Sequence, residues 1–305
     1  PAEFGERVSS VIDIRVRDNA RKGFHGQGGI GLFNSRVMFN GTLPGDHFSW
    51  MLGGRSSYSD WILGRLPDYN LRSSHALFHD LNGLFQYKNS KNHLTFFAYT
   101  GFDRFRYAGE FTYRYGNNLA SARWTRIFNA NWNTELTASV SDYYVARDDL
   151  AEASLVKQVS SGIRSLDAKL VLNWSKFHNH RPLAGIQAIH YTVYPGSQKP
   201  LNSFSLINPL DLENSKGYET AFFAGDDFDL SDWFGISAGL RFSVYQLTGP
   251  YQKFLYSAEG PLSPSRITDT LMYTEGLHIV TFHSFEPRLA VKFMLNQRSS
   301  VKFSF

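Results

Sequence analysis

Residues 217–246 read GYETAFFAGDDFDLSDWFGISAGLRFSVYQ. In the second half, Ile236, Ala238, Leu240, Phe242 and Val244 alternate with Ser237, Gly239, Arg241, Ser243 and Tyr245. A period of two makes a strand whose faces have opposite character. Only a few residues around Ser231, Asp232 and Trp233 join the halves, so the stretch reads as an antiparallel hairpin. Whether this hairpin is a blade of a sandwich or a stave of a barrel is decided by its neighbours.

Downstream, 250–277 is long, polar and punctuated by Pro261 and Pro264, and reads as a loop. A last pair of strands, 278–296 and 300–305, follows. Upstream, 195–215 holds Pro, Gly, Asn and Ser and reads as another long loop. It is preceded by a hairpin of 164–176 and 183–194, in which Leu166, Ala168, Leu170, Leu172 and Trp174 oppose Asp167, Lys169, Asn173 and Ser175. Residues 148–158 are charged and loosely patterned, a loop or short helix. Before them, 119–130 and 134–145 pair, and 106–118 (RYAGEFTYRYGNN) reads as a loop. Strands at 75–87 and 93–105 enclose a short turn. Residues 23–43, rich in glycine, pair with 48–58 across Pro44-Gly45-Asp46. Residues 10–17 (SVIDIRVR) form one more strand near the N-terminus.

About twelve strands in six hairpins therefore alternate short turns with long loops, and no βαβ crossover appears. A sandwich does not need that alternation. An up-and-down barrel in an outer membrane produces it directly, with short turns on one side and long loops on the other. The strands also reach twelve residues, against about five or six in soluble sheets. The fold expected is all-β, an antiparallel up-and-down transmembrane β-barrel. Closure removes the open edges that hydrocarbon does not tolerate.

Composition agrees. The 305 residues include 26 Phe, 16 Tyr and 6 Trp, 16% aromatic, and many fall at strand ends where interfacial girdles form. No apolar run approaches the length of a membrane helix, which says nothing about strands. The net charge of +4 is spread along the chain, with no basic tract for nucleic acid. Cysteine is absent, which excludes disulfides and thiol chemistry. Pairs such as His75/His79, His178/His180 and His278/His283 lack the spacing of a metal site. Asp226, Asp227 and Asp229 lack the spacing of a calcium loop. No nucleophile elbow occurs and GQGGIG lacks the ending of a phosphate loop, so no catalytic residue, cofactor or metal is expected.

Several motifs resemble one family. Residues 1–14, PAEFGERVSSVIDI, resemble the end of the plug domain of Bacteroidetes-type TonB-dependent outer-membrane receptors. GQGGIGLF at 26–33 resembles the first barrel strand, and GGRSSY at 53–58 the arginine-bearing second strand. AGDD at 224–227, SAGLRF at 237–242 and FEPRLA at 285–290 resemble later strands, in the family's order. The resemblance implies a 22-stranded barrel around a plug. Residues 1–22 would be the plug's C-terminal end and linker, and 23–305 the first part of the barrel. It further implies active transport of a glycan, peptide or metal chelate in the outer membrane of a Gram-negative bacterium. The partners implied are outer-membrane lipid or lipopolysaccharide, a TonB-type complex acting through a segment N-terminal to this chain, and a surface lipoprotein. Glu3, Arg7, Arg55, Arg241, Glu286, Arg288 and Lys292 are the candidates for contact between plug and wall. The loops 106–118, 148–158, 195–215 and 250–277 are the candidates for ligand capture. Two other readings remain at this point, a non-transporting outer-membrane binding or assembly protein and a soluble all-β surface protein.

Overall fold

The computed structural model describes residues 2–5, 22–175, 179–257 and 260–304. The strand expected at 10–17 lies outside the described residues. The chain enters the sheet through β1 (Phe24–Ile30) and β2 (Asn34–Thr42). A turn at Gly45, whose φ of +97° suits a residue without a side chain, leads to β3 (Phe48–Ser57). Two single-turn helices, α1 (Asp60–Leu63) and α2 (Tyr69–Arg72), fill the connection to β4 (His75–Lys88). Five long strands follow: β5 (Asn92–Tyr107), β6 (Phe111–Asn129), β7 (Trp132–Asp149), β8 (Lys157–Trp174) and β9 (His180–Pro200). After β10 (Leu210–Asp211), which pairs back onto β9, the hairpin quoted above forms from β11 (Ser215–Ser231) and β12 (Phe234–Thr248). A separate small sheet of β13 (Tyr251–Tyr256) and β14 (Ile267–Tyr273) precedes β15 (His278–Asn296) and β16 (Ser299–Ser304).

Among the described residues, 14 of these strands make one sheet in which chain neighbours are sheet neighbours, apart from the excursions of β10 and the β13–β14 pair. Its described edges are β1 and β16, which do not pair with each other. The short joins (43–47, 89–91, 130–131, 175–179, 232–233 and 297–298) fall at one end. The connections 58–74, 150–156, 201–214 and 249–277 fall at the other.

Five segments differ from the expectation. The single strand at 23–43 is two, because the chain reverses at 31–33, where Gly31 N–H donates to the Asn34 carbonyl. The loop expected at 106–118 is the top of β5 and β6, joined by 108–110 alone. The loop expected at 148–158 shrinks to 150–156, with Asp148 and Gln158 paired in register. In 195–215 the strand β9 continues to Pro200, and 250–277 contains the β13–β14 hairpin. These last four segments sit at the long-loop end of the strands, where the outer face no longer carries the apolar side chains that mark the strands below.

Below that level the two faces are distinct. Leu52, Leu81, Phe96, Leu136, Val140, Leu166, Ile186, Phe222, Leu240, Phe285 and Leu289 share the outer face and are exposed. On β7 this apolar band runs from Trp132 to Val140 and on β8 from Leu166 to Trp174, matching the nine to eleven residues of a tilted membrane strand. Paired rings mark its lower border: Trp132 and Trp174 at 4.7 Å, Phe48 and Tyr87 at 4.8 Å, Phe234 and Phe293 at 4.8 Å. Such girdles bound the apolar belt of membrane barrels. The 21 residues of β9 extend about 70 Å at roughly 3.3 Å per residue, so the sheet overshoots a hydrocarbon layer of about 30 Å even when tilted.

Candidate functional site

The inner face is defined by what lies against it. Residues 2–5 sit on β8, β9, β11 and β12, with Ala2 buried on Val171 and Phe223. Two glycines give the segment room. A Cβ on Gly239 would stand 2.8 Å from the Ala2 Cβ, and one on Gly5 would stand 2.0 Å from Arg241 Nε.

Arg241 is the centre of this site, with its side chain 1% exposed. The register of the hairpin aims it there, because Arg241 opposes Phe223 on β11 and Glu286 on β15, and opposed residues share a face. Its Nη2 donates to Glu219 Oε1 at 3.2 Å and to Gln187 Oε1 at 3.2 Å. Its Nε donates to Ser243 Oγ at 3.0 Å and its Nη1 to the Glu3 carbonyl at 3.3 Å. The guanidinium lies 5.8 Å from the centre of the Phe223 ring. Glu219 also accepts from the Tyr191 hydroxyl at 3.1 Å. Glu286 accepts from Ser243 at 3.2 Å and from Arg288 Nη2 at 2.8 Å. Lys169 donates to Glu3 Oε2 at 3.2 Å and lies 5.1 Å from the centre of the Phe4 ring. A charge this buried is stable only when paired and hydrogen-bonded, and five strands contribute to that satisfaction.

Of the sequence candidates, Glu3, Arg241, Glu286 and Arg288 meet in this network. Arg55 lies on the same inner face far along the sheet, where it binds Asp80 at 2.7 Å and stacks on Phe78 at 4.8 Å. Lys292 is exposed near the short-turn end, in register with Gly235 and Lys302. Arg7 lies outside the described residues. Sequence reading missed Glu219, Gln187 and Lys169 as members of the site. All three occupy polar-face positions, but their meeting depends on the registers of β8, β9 and β11, which hydropathy leaves open. Beside the segment lies a cavity of about 270 Å³, into which Thr137 presents a buried hydroxyl without a hydrogen-bond partner.

A second inner-face cluster stands at the long-loop end. Phe105, Tyr107, Phe111, Tyr113 and Tyr115 share the inner face of β5 and β6. Tyr107 stacks on Phe111 at 5.3 Å and Tyr113 on Tyr115 at 6.0 Å. Arg147 lies over Phe111 at 5.3 Å and Tyr113 at 5.4 Å, and donates to Asp149 at 2.6 Å. The segment expected to be a ligand-capture loop thus presents a wall of rings.

Three of the histidines have local partners: His75 with Asp60 at 2.9 Å, His180 with Asp226 at 2.5 Å, and His79 tilted against Phe102 at 5.3 Å. Among the described residues no cluster of three metal-ligating side chains occurs.

A long-stranded antiparallel sheet, apolar on one face and polar on the other, with an N-terminal segment held on the polar face, resembles part of a β-barrel. No protein-family model and no curated protein matches the sequence. Solved structures do match the fold, and they have the architecture of TonB-dependent outer-membrane receptors. The pyoverdine outer-membrane receptor FpvA of Pseudomonas aeruginosa PAO1 is similar with a TM-score of 0.64 at 12% identity, covering 94% of this chain and 46% of that one. The ferric preacinetobactin receptor BauA of Acinetobacter baumannii gives 0.61 at 11%, covering 93% and 47%. The ferric-catecholate import receptor Fiu of Escherichia coli K12 gives 0.57 at 12%, covering 93% and 50%. The chain therefore spans half or less of the length of these receptors.

Proposed function

We propose that the chain is the plug end and first part of the barrel of a TonB-dependent active transporter in the outer membrane of a Gram-negative bacterium. The observation that carries this reading is the buried Arg241 network holding residues 2–5 on the inner wall. A soluble sheet has no reason to clamp its own N-terminal segment inside a polar concavity while leaving Leu52, Phe96, Leu240 and Phe285 exposed outside. In this reading residues 1–22 end the plug and 23–305 begin a 22-stranded barrel. The motifs at 1–14, 224–227, 237–242 and 285–290 favour the Bacteroidetes type. A TonB-type complex supplies the energy, and a surface lipoprotein is a further partner.

Ligand capture falls to the ring wall of β5 and β6 with Arg147, beneath the loops 150–156, 201–214 and 249–277. Ring faces with a guanidinium beside them suit a ligand of flat faces and polar edges, a glycan or an aromatic metal chelate, and suit a peptide less. The site calls for binding and release, with no covalent step.

The test is growth of strains with and without the intact protein on defined oligosaccharides, peptides and ferric chelates as sole sources. Growth that needs both the protein and its TonB-contacting segment supports active transport. Growth that survives removal of that segment shows a passive or binding role instead.

A further inference from the structure

The outer face of β3 to β9 carries two features that meet on β7 and β8. The lower is a groove of about 1000 Å³ in the apolar band. Its floor is Ala98, Ala120, Ala122 and Ala138, and its walls rise at Phe96 and Leu166. The upper is a cavity of about 1170 Å³ at the long-loop end of the band. On β7 and β8 it begins one outward residue above the groove, where Val140 gives way to Asp142 and Leu166 to Arg164. That step is about 7 Å along a strand.

The upper cavity has the chemistry of a sugar site rather than of a phosphate site. Its guanidiniums are already neutralised, and the third cation of the lining, Lys199, lies 3.9 Å from Asp211. Arg164 Nε donates to Asp142 at 2.8 Å, and Arg114 Nη2 donates to Asp148 at 2.6 Å, which Gln158 also bonds at 2.9 Å. Asp211 and Glu213 add further acceptors. Bare phosphate would meet these carboxylates, whereas hydroxyl groups can donate to them and accept from the paired arginines. Ring faces complete the site: Tyr144 lies across Gly116, whose missing Cβ would stand 1.9 Å from the ring, and Tyr194 lines the cavity beside Arg164. Aromatic faces beside planar polar pairs recognise the apolar face and hydroxyl edge of a pyranose.

We infer that this outer face is a docking site for a glycolipid of the surrounding leaflet, with an acyl chain in the small-residue groove and the sugar head in the cavity above it. The inference rests on the outer-membrane reading. It assigns a specific lipid to one sector of the wall, distinct from the inner-face ligand site.

The experiment uses the intact protein, purified in detergent and examined by native mass spectrometry. The probes are an unphosphorylated tetra-acyl diglucosamine glycolipid, phosphatidylglycerol and phosphatidylethanolamine. The wild type retains the glycolipid in preference to both phospholipids. Ala138→Phe fills the groove and Tyr194→Ala removes a ring from the head site, and each weakens glycolipid retention about tenfold, equivalent to roughly 1.4 kcal/mol. Heat-modifiable migration of each variant checks that the barrel is intact. Equal retention of all three lipids, or unchanged retention in both intact variants, overturns the inference alone. A protein that is monodisperse without detergent overturns the outer-membrane reading as well.

Discussion

Replacing Arg241 by alanine isolates what the network contributes. The side chain is 1% exposed and its direct ionic partner, Glu219, is 7% exposed. Glu286 keeps Arg288 and Ser243 when Arg241 is removed, and Glu3 keeps Lys169. Glu219 keeps the Tyr191 hydroxyl but loses its cation. Leaving one half of a buried pair costs roughly 3–5 kcal/mol, much of it the penalty of an uncompensated charge. Glu219→Gln in the same protein removes that charge and recovers most of the loss. The double-mutant cycle should therefore give a coupling of roughly 1–3 kcal/mol. Urea unfolding in detergent, followed by the emission of the six tryptophans, reads each corner of the cycle. Additivity within about 0.5 kcal/mol would refute the reasoning, because Glu219 would then not depend on Arg241.

Other consequences are local. Leu240→Arg places a charge in the middle of the outer apolar band, 48% exposed in the wild type, and should cost about 2–4 kcal/mol in a bilayer; membrane assembly as efficient as wild type would show that this face does not meet lipid. Gly239→Leu drives a side chain into Ala2 and should release residues 2–5 from the wall, read as faster proteolytic cleavage near the N-terminus of the folded protein; wild-type protection would count against the docking geometry. In the loop 249–277, hydrogen bonding and then charge attraction from Lys216 hold the Glu275 carboxyl below its ordinary value of 4.5. A depressed carboxylate stabilises the folded arrangement above its unfolded value and loses that contribution as pH falls through the folded one. Amide exchange in 274–277 should therefore quicken below about pH 4.5 relative to Glu275→Gln, once the intrinsic rate is corrected. Equal pH profiles in the two proteins would remove the tether.

Strands in the apolar band were legible residue by residue. The alternation at 236–244 and 166–175 needs only the rule that one face meets apolar surroundings and the other polar ones. The tops of β5 to β9 were not legible, and 106–118 shows why. There Tyr107, Phe111, Tyr113 and Tyr115 face inward while Arg106, Thr112 and Arg114 face outward. The period of two persists, but its phase is the reverse of the apolar band below, where Ala120, Ala122 and Trp124 face outward and Ser121 and Arg123 inward, and the switch at Gly116, Asn117 and Asn118 reads as a loop although backbone pairing continues.

At the wall, periodicity placed Arg241 on a polar face, and Glu3, Glu286 and Arg288 joined it as candidates through the family resemblance. It also placed Ile236 to Val244 on the opposite one. Periodicity assigns a face because that depends only on neighbours two residues away. What tertiary structure decided is partnership. Lys169, Gln187, Glu219 and Arg241 lie on four different strands and meet because three registers agree, and a one-residue slip in any of them would turn a member outward. Register is set by turns and cross-strand packing over the whole sheet, so the Arg241 cluster exists only once the sheet is assembled around residues 2–5.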